Sequence, residues 1–363
     1  MSEAMFPTVA RFTDRRVTRT IPFGNGHIND TYMVTLEDGH QLVLQRLNTY
    51  VFRDPDSLMT NMQRVTDHLR DKLIESGGDP KRGTLTLVPT ANGAAYVHDH
   101  DVFWRCFDYV TDTHSVEQVE SREQAYKAAA AFGRFQHLLA DLKDPLSETI
   151  PFFHHTPKRV EACRQALVED HAGRSKGCPD ELEFFNSREP LAASFTNLLD
   201  SGDLPLRVIH NDTKINNVLF DNESGEPVCV VDLDTVMPGT ILFDFGDLVR
   251  TAGGSFEEDS ASDKVGVCLD RFEALVEGYL DEAHGFLNDC ELRNLALSPR
   301  LMAYECGTRF LTDYLNGDTY FKIHYPDQNL QRARTQYRLV QSCEDQAEAM
   351  EAIVQKHRQR LGI

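Results

Sequence analysis

The chain is short of several things, and each shortage excludes a class. None of Cys106, Cys163, Cys178, Cys229, Cys268, Cys290, Cys306 and Cys343 stands at C-x-x-C spacing to another. Zinc-ribbon and thioredoxin-like readings therefore fail. No run of about 18 apolar residues occurs, so no membrane-spanning helix is expected. The opening MSEAMFPTVARFTDRR has no apolar core of signal-peptide length. A cytoplasmic protein with reduced thiols is the expectation. Positive charge is short too: 37 Lys and Arg stand against 57 Asp and Glu, a formal charge of −20. That field repels nucleic acid and anionic membranes, so neither is an expected partner. An anionic ligand has to be captured locally, by backbone N–H groups, a bound cation and a few basic side chains. Repeats and low-complexity tracts are missing as well.

What is present suggests a two-part enzyme. At roughly 150 residues per domain, 363 residues favour two domains or lobes. Residues 17–23, 31–35 and 41–47 alternate as strands around Gly24-Asn25-Gly26-His27 and the turn Asp38-Gly39. Leu58, Met62, Val65, Leu69 and Leu73 then fall at helical spacing over 58–74. A hairpin is expected over 84–97, turning at Ala91-Asn92-Gly93, and a fifth strand over 102–110. Beyond residue 111 the pattern becomes helical. One apolar stripe predicts a helix near 122–142, and residues 170–190 suggest an exposed loop with a short helix. A long polar helix is expected near 329–358. The order gives an α+β, bilobal fold with a ligand cleft: residues 1–110 as an antiparallel sheet lobe, residues 111–363 as a mostly helical lobe.

The chemistry concentrates in His210-Asn211-Asp212-Thr213-Lys214-Ile215-Asn216-Asn217, directly after the apolar run Leu206–Ile209. His-x-Asp with Asn five residues after the Asp is the spacing of a kinase catalytic loop. The Asp accepts the proton of an attacking hydroxyl, and the Asn reaches the metal on the phosphates. Asp and Asn in loops also serve as simple turn formers. Val228–Val231 then reads as a strand ending in Asp232-Leu233-Asp234, where a kinase places its second metal ligand. In extended chain Asp232 and Asp234 would face one way. Asn217, Asp232 and in extended chain Asp234 offer the oxygen donors that Mg2+ prefers. The same VDLDTV matches the start of haloacid-dehalogenase-type phosphatases, but the strand–helix units those enzymes need do not follow. Gly24-Asn25-Gly26 between two strands suits a loop covering the phosphates of ATP.

Together these stretches resemble the aminoglycoside-phosphotransferase/choline-kinase superfamily, with its protein-kinase-like fold. Within it the chain is similar to N-acetylhexosamine 1-kinases of the bifidobacterial lacto-N-biose pathway type. The resemblance rests on GNGHIN at 24–29, LVLQRLN at 42–48 and LPLRVIHNDTKINNVL at 204–219. It continues through VDLDTVMPGTILFDFGD at 231–247, ECGTRFLTDYLNGDTYF at 305–321 and YPDQNLQRARTQ at 325–336. It implies ATP-dependent phosphorylation of the anomeric hydroxyl of N-acetylglucosamine or N-acetylgalactosamine. By position it implies Asp212 as base, Asn217 and Asp232 as Mg2+ ligands, and His27, Arg309 and Tyr320 beside Asp212 as sugar-holding residues. Gly24, Asn25 and Gly26 would contact nucleotide. A hinge over Phe107, Asp108 and Tyr109, ending near Val110, would offer backbone groups to adenine.

One departure stands out. A kinase presents a lysine from its third strand, paired with a glutamate on the next helix. Here the strand reads Val43-Leu44-Gln45-Arg46-Leu47, Arg46 points to the face opposite Gln45, and the helix carries Gln63. Which group replaces the lysine is open. Two alternatives remain: a kinase of this fold acting on choline, homoserine, an aminoglycoside or a plain hexose, and a non-catalytic nucleotide-binding scaffold.

Overall fold

The computed structural model describes residues 6–24, 28–99 and 102–363. The chain divides into two compact units that interleave along the sequence: residues 1–114, 141–151 and 219–237 form one, the remainder the other.

The first unit is built on an antiparallel sheet. Its strands are β1 Val17–Pro22, β2 Asp30–Leu36, β3 Gln41–Arg46, β4 Val97–Asp99 and β5 Val102–Asp108, in the order β1-β2-β3-β5-β4. Alternation sends Val34, Leu36, Leu42, Leu44 and Cys106 into one core with Val9 and Phe12, next to the short helix α1 Phe6–Val9. Val43 and Gln45 therefore belong to the other face. Helix α2 Pro55–Glu75 starts at Asp54, whose carboxylate caps the Ser57 N–H at 3.0 Å, with proline at the first helical position. Asn61 of α2 exchanges two hydrogen bonds with the Ser147 backbone (2.8 and 3.0 Å), and Arg64 donates to the Lys143, Asp144 and Pro145 carbonyls. These bonds draw residues 141–151 into the unit. Helix α3 Pro80–Gly83 and a three-stranded sheet of β6 Thr113–His114, β8 Val218–Asp221 and β9 Pro227–Val230 complete it.

The second unit is helical apart from the short strands β7 Arg207–Ile209 and β10 Met237–Gly239. Its helices are α4 Arg122–Leu139, α5 Thr156–Glu169, α6 Pro179–Ser187, α7 Ser194–Ser201, α8 Ile241–Ala252, α9 Leu269–Ala283, α10 Asp289–Asn294, α11 Ser298–Leu315, α12 Gln328–Asp345 and α13 Ala347–Leu361. Helices α4 and α9 pack closely at Gly278, where a Cβ would come within 2.2 Å of the Tyr126 carbonyl oxygen. Helices α8 and α11 meet at Gly246 in the same way, with Met302 and Ser298 each 2.6 Å from the missing Cβ. Any side chain at either glycine would push a helix pair apart.

Two expectations need correction. Residues 84–97 keep the expected turn at Ala91-Asn92-Gly93, closed by the Thr90 N–H on the Ala94 carbonyl at 2.8 Å, but no strand ladder flanks it. Thr86 and Val88 instead hydrogen-bond sideways to Asp108 and Cys106 of β5, and the strand that pairs with β5 begins only at Val97. The expected helix over 329–358 is two helices broken at Gln346. That side chain donates to the Val267 carbonyl and to Ser342, a tertiary anchor that fixes the break. Among the described residues no helix is long and apolar enough to cross a membrane.

Candidate active site

In the second unit, β7 delivers His210 into a buried position, edge-on to Phe132 (5.5 Å) and Phe135 (5.7 Å) of α4. Asn211 follows with a left-handed backbone, φ 66°. Asn tolerates that conformation better than most residues, but it needs support. Asp244, in the first turn of α8, supplies it. Its carboxylate accepts the N–H groups of His210 and Asn211, both at 2.7 Å, and the Gln136 amide at 2.6 Å. Its carbonyl accepts the Thr213 hydroxyl at 2.6 Å.

This bracing sets Asp212. Its carboxylate pairs with Lys214 Nζ at 2.9 Å, and Asn217 Nδ2 donates to its Oδ2 at 3.2 Å and to its carbonyl at 2.8 Å. Burial pushes the Asp212 carboxyl up, but Lys214, His210 and Arg250 outweigh it and hold the group below the usual carboxylate range. Asp212 is thus charged and oriented at neutral pH. The Asn217 amide, anchored through its nitrogen, leaves Oδ1 without a hydrogen bond among the described residues. Arg250 is itself held by Asp247, Nε to Oδ1 at 2.7 Å.

A second brace reaches the same turn. The His154 ring bonds Glu305 through Nδ1 at 2.7 Å and the Asn211 carbonyl through Nε2 at 3.1 Å. Both acceptors are oxygens, so both ring nitrogens carry protons and the ring is an imidazolium. Burial works against that charge, yet Glu305 outweighs it and raises the His154 pKa. Burial likewise pushes Glu305 up, but His154 and the Thr156 hydroxyl bring it net below its usual range.

Arg309 of α11 and Tyr320 fall in one neighbourhood. The Arg309 guanidinium lies over the rings of Phe153 (5.8 Å) and Phe321 (5.5 Å), and Tyr320 meets Phe321 edge-on at 4.8 Å. The loop is shaped by buried Asp313, whose carboxylate accepts the N–H groups of Thr319, Tyr320 and Phe321 at 2.8–2.9 Å. Arg159 donates to the Phe153 carbonyl at 2.7 Å, and burial together with the Arg309 charge lowers its pKa. Tyr320 is 61% exposed, leaving its ring available.

In the first unit, Asn25, Gly26 and His27 lie outside the described residues; Gly24 enters them at φ 76°. Phe107 and Asp108 still belong to β5. The N–H groups of Asp108 and Tyr109 donate to Thr86 and Gln41, at 2.9 and 3.1 Å. The Val110 N–H makes no hydrogen bond among the described residues and is the unspent donor of this stretch.

Asp232 is exposed and sits at φ 58°, where β9 gives way to a single tight turn over 233–235. The chain is not extended here, so Asp234 does not share the direction of Asp232. This corrects Asp234 as a possible metal ligand. It is 3% exposed, with Oδ1 2.5 Å from Arg105 Nη1 and Oδ2 accepting the Asn29 amide at 2.6 Å. Arg105, 2% exposed, also donates through Nε (3.0 Å) and Nη2 (2.8 Å) to Gln45 Oε1, its neighbour across β3 and β5. Gln45 passes the contact on to the Thr31 hydroxyl at 3.1 Å. Arg46 pairs outward with Asp30, and Gln63 is exposed.

Taken singly, Asn217 in the second unit has an amide oxygen with no hydrogen bond among the described residues, and Asp232 in the first has an exposed carboxylate; each is a hard oxygen donor of the kind magnesium takes. Among the described residues no three His, Cys, Asp or Glu gather as a metal cage. Magnesium commonly keeps waters and substrate phosphates in its shell, so it needs none.

The family match places the chain among kinase-type phosphotransferases. Residues 19–284 match the model of the phosphotransferase enzyme family, APH, and the chain belongs to that family. Its fold is similar to an aminoglycoside phosphotransferase from Alicyclobacillus acidocaldarius, at 16% identity over 98% of this chain and 95% of that one, with TM-score 0.57. It is similar to an amicoumacin kinase solved with AMP-PNP, Ca2+ and Ami, at 16% identity over 95% and 93% of the two chains, TM-score 0.59. It is also similar to choline kinase LicA from Streptococcus pneumoniae, at 11% identity over 94% and 98%, TM-score 0.54.

Proposed function

We propose that this phosphotransferase is an ATP-dependent sugar kinase that phosphorylates the anomeric 1-hydroxyl of N-acetylhexosamines, N-acetylglucosamine or N-acetylgalactosamine. The observation that carries the kinase reading is the Asp212 turn, charged, doubly braced and bonded to Asn217. The acceptor reading rests on the resemblance through residues 24–48, 204–247 and 305–336. It is supported by Arg309 and Tyr320 gathering around Phe321. In this reading residues 1–110 cover ATP and residues 111–363 carry catalysis and acceptor.

The sugar O1 attacks the γ-phosphorus in line as the bond to the β-bridging oxygen breaks, and Asp212 takes the O1 proton. Asn217 and Asp232 would hold Mg2+, which would supply charge neutralisation on the phosphates. Gly24, Asn25, Gly26, Phe107, Asp108 and Tyr109 contact the nucleotide; His27, Arg309 and Tyr320 hold the sugar. Positioned charge of this kind is usually the largest catalytic contribution.

The test is ADP release over N-acetylhexosamines, plain hexoses, choline, homoserine and aminoglycosides, with phosphorus NMR of the product. A sugar 1-phosphate is expected; a 6-phosphate, or turnover of choline alone, refutes the acceptor. Arg159 and Arg309 beside the acceptor residues disfavour a cationic acceptor such as choline or an aminoglycoside.

A further inference from the structure

Strand β3 carries no lysine, and Arg46 faces outward, yet a cation does stand at that place in the sheet. It comes from the neighbouring strand. Arg105 pairs with Gln45 in the β3–β5 register, lies over the Phe107 ring at 5.1 Å, and is almost completely buried. A guanidinium at 2% exposure cannot reach a phosphate. Its directed hydrogen bonds go to the Gln45 amide oxygen, and its charge pairs with the Asp234 carboxylate. Asp234 in turn occupies the turn that begins at Asp232 and accepts from Asn29, the residue immediately before β2. A buried ion pair is weak evidence for stability, because desolvating two charges costs about what their attraction returns. Its position, not its energy, is the informative feature here: it clamps the turn that aims Asp232.

We propose that Arg105 is a positioning residue: through Asp234 and Gln45 it fixes the turn that presents Asp232 to the metal, and Gln45 is present to accept from Arg105. The inference rests on the kinase reading, with Asp232 as a metal ligand. Such supporting partners commonly govern metal affinity by about 10–100-fold.

The test compares wild type with Arg105→Lys and with the charge-neutral double variant Arg105→Met/Asp234→Asn. The lysine keeps the charge but cannot fork to both partners. The double variant avoids leaving one buried charge alone. Mn2+ binding in the presence of AMP-PNP is followed by electron paramagnetic resonance, with acceptor KM and thermal melting in parallel. The expected result is Mn2+ affinity down by about 10–100-fold in whichever variants fold, with acceptor KM unchanged within about twofold. Folded variants with wild-type Mn2+ affinity overturn the inference and leave the kinase reading intact. Wild type that binds no Mn2+ with AMP-PNP overturns the kinase reading and this inference with it. Arg105→Lys keeps a cation for Asp234, so loss of folding in that variant assigns Arg105 to stability alone and overturns the positioning role.

Discussion

Putting lysine where kinases carry it should harm this protein. In Gln45→Lys the ammonium replaces an amide oxygen that now accepts two bonds from Arg105, at 2.8 and 3.0 Å. Two cations about 4 Å apart repel by roughly 4 kcal/mol at an effective dielectric near 20. Asp234 lies beyond the guanidinium, and at about 7 Å it returns roughly 2 kcal/mol. Losing hydrogen bonds to a charged group adds about 1.5–3 kcal/mol. The net cost is about 4 kcal/mol. For 363 residues unfolding together, an entropy of about 2.1 cal/mol/K per residue makes that a fall of roughly 5 °C in Tm. The alternative, a neutral lysine, costs a similar amount: lowering its pKa from about 10.4 to 7 takes about 4.6 kcal/mol. The lysine pKa is then depressed in the folded state, so the unfolded chain binds more protons and stability recovers as pH rises toward about 10. Thermal melting between about pH 7 and 10 reads both effects, with the KM for MgATP measured alongside. An unchanged or higher Tm together with tighter MgATP binding would show that position 45 is simply a vacated lysine site, and the account of Gln45 and Arg105 would be wrong.

Asp212→Asn should lower turnover by about 10²–10⁴-fold with nucleotide affinity nearly intact; wild-type turnover would end its assignment as base. Asp244→Ala strips two buried N–H groups of their acceptor and should cost about 2–5 kcal/mol in urea unfolding. A cost below about 1 kcal/mol would mean that the Asn211 turn stands unaided. Arg309→Ala should raise acceptor KM and leave the KM for ATP unchanged, and equal rises in both would place it elsewhere. The His154–Glu305 pair makes stability depend on pH in two directions. His154 is raised above its ordinary 6.5, so its contribution is full below that value and is lost as pH rises through the raised pKa. Glu305 is lowered from 4.5, so its contribution is present above 4.5 and is lost as pH falls through the lowered pKa. The melting difference between wild type and Glu305→Gln should therefore shrink toward both ends of a scan from about pH 4 to 9, and a flat difference would refute the charged pair.

Local order was readable where one periodicity governs a segment. The stripe near 122–142 is α4, and the alternations at 17–23, 31–35 and 41–47 are β1 to β3, because each buries one face against a single core. The misreadings come from contacts distant in sequence. Thr86 and Val88 pair with β5 instead of with residues 94–97, and Gln346 is turned by Val267, 79 residues away. At the site, the His-x-Asp and Asn spacing marked a turn whose supports it could not mark. His154 and Glu305 are 151 residues apart, and no pattern joins them. Arg105 did leave a signal: a lone arginine inside the apolar strand VFWRCFDYV needs a buried partner. The partner, Asp234, was visible only as a neighbour of Asp232.

The charge of −20 also acquires a local meaning. Lys214 is paired with Asp212, Arg250 with Asp247 and Arg105 with Asp234, so the cations around the Asp212 and Asp232 turns are spent on carboxylates of the chain itself. Such pairing keeps acids charged and aimed without leaving a surplus that would bind stray anions. Arg159 and Arg309 differ. Neither has a carboxylate within ion-pair distance among the described residues; Arg159 donates to carbonyls, and Arg309 lies over two rings. These two unpaired guanidinium groups sit with Phe153 and Phe321, next to Tyr320. A guanidinium bordered by aromatic faces suits hydroxyl and amide oxygens packed against apolar ring carbons, and it repels an ammonium. With the acceptor placed at Arg309 and Tyr320 by the sequence resemblance, that asymmetry fits the proposed neutral sugar better than choline or an aminoglycoside.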